Sequence, residues 1–397
     1  MTEKLALEGG TPVRGEVLPY GRQWIDDDDV EAVVQVLRSH WLTTGPVVGQ
    51  FEEALARFTG AGHAVAVSSG TAALHAAMHA LRIGPGDEVV VPTLTFAASA
   101  NCVLYQGGTP VFADVDPRTL LLDAAELERR ITPRTRAVIA VDYAGQPADY
   151  AALGEVARRH GVAVVADASH SLGGMRDGRA VGTLADATTF SFHPVKHVTS
   201  GEGGAIAVSD PALAERLRLF RSHGITSDAR QREMAGSFFY EMVDLGYNYR
   251  LTDLQSALGV SQLRRLPAWV QRRREIAARY DRAFASLPAV RPLAVDPAAH
   301  HAYHLYVVRL DPARLRVDRG AVFSALRAEG IGVNVHYIPV HLHPYYRERL
   351  GTAPGQFPAA EAAYAEILSL PMFPRMSDAD VDDVVQAMAR VTAAYAA

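Results

Sequence analysis

Residues 136–170 read RAVIAVDYAGQPADYAALGEVARRHGVAVVADASH. Two apolar runs, 136–142 (RAVIAVD) and 162–167 (VAVVAD), flank an Ala-rich stretch of helical period, Tyr150–His160. Neither run alternates apolar with polar residues, so each predicts a strand buried on both faces. Strands of that kind belong to parallel sheets, in which a helix carries the chain from the end of one strand to the start of the next. The segment reads as one β-α-β unit.

The unit repeats on both sides. Similar runs fall at 63–67 (HAVAV), 88–91 (EVVV), 110–115 (PVFADV), 187–192 (ATTFSF) and 204–208 (GAIAV), giving seven strand candidates in all. Helices are predicted between them at Ala72–Leu81, Ala98–Gln106 and Ala125–Ile131. A loop in place of a full helix joins the last two strands. The expected fold is α/β, with a mostly parallel seven-stranded sheet flanked by helices. After it come helices interrupted by a polar stretch, SDARQREMAG at 227–236, read as a surface loop, and then a basic helix from Pro267 to about Leu287. The arginines of that helix are read as a solvated face and not as a nucleic-acid surface. Strands at 303–310 and 331–337, with helices at 318–329 and 377–396, predict a smaller C-terminal α+β domain. The expected organisation is an N-terminal arm (1–20), a large domain (21–265) and a small domain (266–397).

Composition excludes several classes. A chain of 397 residues with 49% hydrophobic and 21% charged residues has ample material for a packed core and is not disordered. The net charge of −5 gives no general attraction to nucleic acid or acidic lipid. One cysteine, Cys102, cannot build a disulfide framework or a thiolate metal site. The opening MTEKLALEGG has no apolar core of signal-peptide length, and no apolar run approaches the roughly 20 residues that span a bilayer. A soluble cytoplasmic protein is expected, with neither nucleic acid nor membrane as partner. Of the 39 basic residues only Lys4 and Lys196 are lysines. Arginine stays protonated, whereas a buried lysine can lose its proton and act as a nucleophile. Lys196 is thus the first candidate for chemistry.

Ligands of open α/β sheets bind beyond the carboxyl ends of the strands. The first strand exits into Ser68-Ser69-Gly70-Thr71 at a helix start, which is either an ordinary cap or a phosphate cradle. Neither a G-x-G-x-x-G nor a P-loop is present. The second strand exits towards Phe96. The fifth ends in Asp167, followed by Ala168-Ser169-His170; the carboxylate is either a cap or a charge held for a cationic ligand atom. The sixth exits through Ser191-Phe192-His193-Pro194-Val195-Lys196-His197 into a glycine-rich stretch. His193 and His197 have no third ligand near them in sequence, and no metal is expected. A phosphate cradle, an aromatic plate, a carboxylate and an isolated lysine are what pyridoxal phosphate needs: phosphate anchorage, ring stacking, a partner for the pyridine nitrogen and an amine.

The motifs SSGTAALHAA, PTLTFAASAN, VDYAGQ, ADASHSLGG, FSFHPVKHVTSGEGG, LFRSHGI, LGYNYRLTDLQSALG and VHYIPVHLHPYY resemble the DegT/DnrJ/EryC1/StrS family of nucleotide-sugar aminotransferases across nearly the whole chain. The resemblance implies fold type I of the pyridoxal phosphate enzymes and a homodimer whose active sites lie at the subunit interface. It makes Lys196 the Schiff-base lysine and proton shuttle, with pyridoxamine phosphate as the intermediate cofactor form. Asp167 becomes the partner of the pyridine nitrogen, Phe96 the stacking ring, and His170 a neighbour of the cofactor face or phenolic oxygen. Gly70, Thr71 and Ser191 become phosphate ligands, joined by Asn248 from the other subunit. Within the family the wording is most similar to the branch that aminates C4 of UDP-4-keto-6-deoxy-N-acetyl-L-altrosamine on the way to pseudaminic acid, with L-glutamate as donor. On that resemblance the substrate contacts are Tyr20, Gly21, His40, Trp41, Leu42, Thr43, Arg250, Asn334, Val335, His336 and Tyr337. The guanidinium of Arg250 also suits a diphosphate on physical grounds. The alternatives are a C3 aminotransferase acting on a dTDP-3-keto-6-deoxysugar and a non-catalytic binding or scaffold protein that keeps the fold.

Overall fold

The computed structural model describes residues 4–227 and 229–397. All seven expected strands form one sheet: β1 (His63–Val67), β2 (Glu88–Pro92), β3 (Thr109–Ala113), β4 (Thr135–Val141), β5 (Ala163–Asp167), β6 (Ala187–Ser191) and β7 (Gly204–Val208). Their spatial order is β1-β7-β6-β5-β4-β2-β3. The five strands from β3 to β6 run parallel, and β7 lies antiparallel to both of its neighbours. The reversal has a local cause. The stretch between β6 and β7, residues 192–203, is short and contains no helix, and β7 returns antiparallel beside β6, whereas the longer helix-free stretch 168–186 carries the chain from β5 to a parallel β6. The β6–β7 connection carries Lys196. Strands β2 and β7 are buried at every residue, as their uninterrupted apolar runs require.

Helices Gly70–Ala80, Ala98–Tyr105, Ala124–Arg130 and Tyr150–His160 connect the strands. At the end of β4 the chain turns through Gly145 at φ 108°. A Cβ there would sit 2.6 Å from the His170 carbonyl oxygen and 2.9 Å from the nitrogens of Tyr303 and His304, so only glycine lets three segments meet at this point.

A second, antiparallel sheet of three strands, β8 (Val290–Pro292), β9 (Tyr306–Leu310) and β10 (Ile367–Leu370), packs with helices Arg319–Ala328 and Asp378–Ala394 around its own apolar core. The first and last of these strands were not anticipated, and three other expectations change. The segment 331–337 is extended but makes only isolated bridges, Ile331 with Leu18 and Asn334 with Ser369, and forms no strand. Within 227–236, read as a loop, Ala229–Met234 is a short helix. The basic helix begins at Asp253 and continues to Phe284, straight through Pro267. Its start is fixed by a capping box in which Thr252 and Gln255 exchange side-chain and backbone bonds, a signal that outweighs proline as a boundary marker.

This long helix crosses position 265/266 without a break. Its residues Leu263, Leu266 and Val270 belong to the core of the large sheet, and Ile276, Ala277, Tyr280 and Phe284 to the C-terminal core. Between the two sets lies fully buried Arg273, which donates to the carbonyls of Tyr303, His304 and Met372 at 3.1, 3.3 and 2.8 Å. Residues 4–20 lie along the C-terminal layer: Leu5 and Leu18 are buried in its core, and the Met372 N–H donates to the Tyr20 carbonyl at 3.0 Å.

Candidate active site

At the carboxyl edge of the large sheet is a cavity of about 450 Å³, within the range of small-molecule sites. Its walls are strand exits. Gly70 and Thr71 begin the helix that follows β1, with Ser69 as N-cap, its hydroxyl accepting from the Ala72 N–H at 3.0 Å. The helix starts two residues earlier than the sequence suggested, which brings the Gly70 and Thr71 backbone N–H groups into the unsatisfied first turn. A Cβ on Gly70 would lie 2.8 Å from Ser191 Cβ, so glycine allows the helix N-terminus to meet the end of β6. Small residues, a hydroxyl and a helix N-terminus in one corner suit a phosphate.

Asp167 ends β5, the neighbour of β6 in the sheet, and also lines the cavity. It is buried, and its Oδ2 accepts from the Ser99 hydroxyl at 2.7 Å. Lys196 lies in the β6–β7 connection, after a turn in which its N–H donates to the His193 carbonyl at 2.9 Å. Burial lowers the pKa of its amine to about 8, against the attraction of Asp167, which acts to raise it. An amine near 8 can be neutral at working pH, as both a nucleophile and a proton shuttle require. Phe96 also lines the cavity and leaves 58% of its surface exposed, with Tyr337 at 5.8 Å between ring centroids. The ring is therefore available to a planar ligand.

His170 is buried among charged and aromatic groups. Its Nε2 shares a 3.0 Å hydrogen bond with the Tyr337 hydroxyl, and its Nδ1 is buried without a partner. Burial first, then the charge of Lys196, holds this imidazole well below the ordinary histidine range, so it is neutral. His336 is lowered to about 4 for the same two reasons, in the same order. The Tyr143 hydroxyl donates to the His336 carbonyl, and Ser369 Oγ lies 2.8 Å from His336 Nδ1. A phosphate corner, a carboxylate, a lowered amine, an open aromatic face and a buried imidazole nitrogen without a partner together fit pyridoxal phosphate. Gly70, Thr71 and Ser191 would take its phosphate, Asp167 its ring nitrogen and Lys196 its carbonyl carbon.

Tyr20, Gly70, Thr71, Phe96, Asp167, His170, Ser191, Lys196, His336 and Tyr337 all line this cavity. Other anticipated residues lie elsewhere. Gly21 lies just outside the lining, its position 3.6 Å from Val195 if a Cβ is added. Asn334 and Val335 precede the lining pair, with the Asn334 N–H donating to the Ser369 carbonyl at 3.1 Å. His40, Leu42, Thr43 and Asn248 are exposed, with Trp41 and Arg250 half-buried. Asp253 joins this group to the long helix by accepting from the Gly45 and Val47 N–H groups at 2.7 and 2.8 Å and donating its own N–H to the Leu42 carbonyl at 3.0 Å. Arg250 lines a separate cavity of about 330 Å³ with Thr44 and Arg221.

Sequence reasoning missed Thr95, Ser99, Glu202 and His304. Thr95, Glu202 and His304 line the cavity, and Ser99 touches Asp167 from beneath. Thr95 and Ser99 stand four apart across a helix start, next to Phe96, and that spacing is the signal that could have marked them. His304 comes from the C-terminal layer, 4.4 Å from His170 between ring centroids, and nothing local in the sequence announces the contact.

The sequence profile of the DegT/DnrJ/EryC1/StrS aminotransferase family matches residues 23–389. Spore coat polysaccharide biosynthesis protein SpsC of Bacillus subtilis is 44% identical over 377 residues, covering 94% of this chain and 97% of SpsC. Among solved structures, Spr1654 of Streptococcus pneumoniae in its PMP form superposes with a TM-score of 0.89 at 33% identity, over 95% of this chain and 99% of that one. Spr1654 is also known in a PLP form. Helicobacter pylori PseC, an aminotransferase involved in the biosynthesis of pseudoaminic acid, gives a TM-score of 0.89 at 32% identity, over 96% of this chain and all of PseC. The fold is that of these aminotransferases, and the chain belongs to the DegT/DnrJ/EryC1/StrS aminotransferase family of pyridoxal-phosphate-dependent sugar transaminases.

Proposed function

We propose that the protein transfers the amino group of L-glutamate to the C4 ketone of a UDP-4-keto-6-deoxy-N-acetylhexosamine of the L-altrosamine type. The observation that carries the reading is the single cavity in which the lowered amine of Lys196, the buried carboxylate of Asp167 and the phosphate corner at Gly70 converge. The likeness to PseC supports the choice of sugar. When bound, pyridoxal phosphate supplies an electron sink through which an amino group passes from donor to acceptor. With the cofactor bound, Asp167 would hold a proton on the ring nitrogen, Phe96 would pack against the ring, and Lys196 would take up and return the migrating proton. Tyr20, His336 and Tyr337 border the space left for the sugar.

Asn248, Arg250 and the His40–Thr43 stretch serve the cavity of a second copy in a cytoplasmic homodimer, Asn248 on the phosphate and Arg250 on the substrate diphosphate. The surface around them supports this reading. Met234, Phe238, Phe239, Met242, Val243 and Leu245 are all exposed, more apolar surface in one segment than a monomer normally presents to water. The substrate is tested by supplying UDP-linked 4-ketosugar and dTDP-linked 3-ketosugar in separate reactions with glutamate and assigning the aminated carbon by NMR. Amination of the UDP 4-ketosugar at C4 supports the reading. Turnover of the dTDP 3-ketosugar alone, at C3, overturns it.

A further inference from the structure

Asp167 is held from beneath by a chain of hydroxyls. Ser99 Oγ donates to Asp167 Oδ2 at 2.7 Å, and Thr95 Oγ1 lies 2.8 Å from Ser99 Oγ. Both hydroxyl residues are buried, at 1% and 0% exposure for Thr95 and Ser99. The direction of the chain follows from proton counting. An ionised carboxylate only accepts, and a serine hydroxyl has one proton to give. Ser99 spends that proton on Asp167, so Thr95 must donate to Ser99. Asp167 Oδ1 takes only a long contact, 3.3 Å, from the Ser169 N–H, which leaves it free to accept another donor.

We infer that Ser99 and Thr95 are positioning residues that fix where the proton lies between Asp167 and the pyridine nitrogen of the cofactor. Charge-assisted donation stabilises the carboxylate relative to the carboxylic acid. In the pair formed by a ring nitrogen and Oδ1, it therefore favours the proton on nitrogen and the negative charge on oxygen. Without Ser99 the carboxylate becomes more basic and draws the proton towards itself, and the ring loses the positive charge that makes it an electron sink. The geometry has a further consequence. Phe96, Thr95 and Ser99 belong to one turn at the start of helix Ala98–Tyr105, so the segment that supplies the ring platform also sets the charge state of the ring resting on it. The inference rests on the assignment of Asp167 to the ring nitrogen.

The test is the 15N resonance of holoenzyme reconstituted with ring-15N pyridoxal phosphate, together with kcat and KM. Ser99→Ala is expected to move the resonance from the protonated towards the unprotonated position. It should also lower kcat by about 10- to 100-fold, the worth of one charge-assisted hydrogen bond, with KM little changed. Thr95→Val, which weakens the chain one step back, should shift the resonance in the same direction by less, and Ser99→Thr, which keeps the hydroxyl, should restore it. A Ser99→Ala resonance at the wild-type position, with Asp167→Asn displaced, overturns the hydroxyl chain alone. An undisplaced Asp167→Asn resonance overturns the assignment of Asp167 and the chain with it. Should Ser99→Ala not fold, Thr95→Val decides: no displacement overturns the inference.

Discussion

The edge of the large sheet and the face that carries residues 37–45 and 234–250 differ in almost every physical respect. At the sheet edge, polar groups are buried and each is tied to another element: Asp167 to Ser99, His170 to Tyr337, His336 to Ser369. On the other face, Leu42, Phe238, Phe239, Met242 and Leu245 lie in the open, and Asn248 does not line the Lys196 cavity of its own chain. One region has these hydrogen bonds complete within a single chain. The other has the composition of an interior without the cover, which teaches that the cavity and this surface are built by different means. Rigid strand ends set the first, and exposed apolar side chains of one segment make up the second.

The largest effect is expected at the complete region. Lys196→Arg keeps a cation where the chemistry needs an amine that can lose its proton, so turnover should fall by about a thousandfold or more. The cofactor-free protein should melt as before. Glutamate-dependent amination, measured with excess pyridoxal phosphate, checks the first claim and circular dichroism melting the second. Retained turnover would remove Lys196 from its role and with it the contrast between the regions.

A smaller but more diagnostic effect is expected from pairing the two regions across chains. Asn248→Ala should weaken cofactor retention and lower activity by about tenfold, as expected for loss of one or two good hydrogen bonds. Mixed with Lys196→Arg subunits and allowed to exchange, the two inactive or weakened preparations should regain activity beyond their sum, because some hybrid sites then draw Lys196 from one chain and Asn248 from the other. Mixing without gain would place Asn248 in the site of its own chain. Met242→Glu with Leu245→Glu should produce monomers by analytical ultracentrifugation, with the sheet-edge residues untouched.

These two regions also mark what the sequence disclosed. The buried edge was legible because strand-exit chemistry is local: Asp167 ends an apolar run, Gly70 and Thr71 follow another, and Lys196 stands in a glycine-rich connection without a helix. Residues that reach the cavity from far away in the chain were legible only through the family resemblance, as with Tyr20 and Tyr337, or not at all, as with His304. The strand expected at 331–337 failed for a related reason. Its apolar pattern is genuine, since Ile331 and Val333 are buried, but the segment is covered by the N-terminal residues and the 369–372 stretch instead of being laddered into a sheet. Pro267 misled in the other direction, because a capping box at Thr252, fifteen residues upstream, had already committed the helix.

Burial of neutral imidazoles at the complete region should appear in the stability curve. His336 has a folded pKa of about 4 against 6.5 for the ordinary group, lowered first by burial. Between those values the unfolded chain binds the proton and the folded one does not, so stability is full above pH 6.5 and falls as pH drops towards 4. His336 alone should remove about 2 kcal/mol between pH 6.5 and 5. His170, His197 and His304, lowered by burial in the same way, steepen the loss. Urea unfolding at pH 7, 6 and 5 measures it, and His336→Gln should flatten the curve. A stability independent of pH across that range would mean the imidazoles are not held neutral.

The smallest expected effect separates the two lysines. Lys4 is exposed to solvent. Lys196 has been brought to about 8 by burial in spite of the Asp167 carboxylate. In cofactor-free enzyme the rate of labelling by a limiting amine reagent follows the neutral fraction of each. From pH 7 to 9 that fraction should rise about tenfold for Lys196 and then level off, whereas an ordinary lysine should rise about a hundredfold with no plateau. Mass spectrometry of the two peptides reads both rates in one sample, with Lys4 as the internal control. Parallel curves would show that the sheet edge does not desolvate the amine, and Asp167→Asn sharpens the comparison: loss of the attraction should move the Lys196 plateau to lower pH and leave the Lys4 curve where it was.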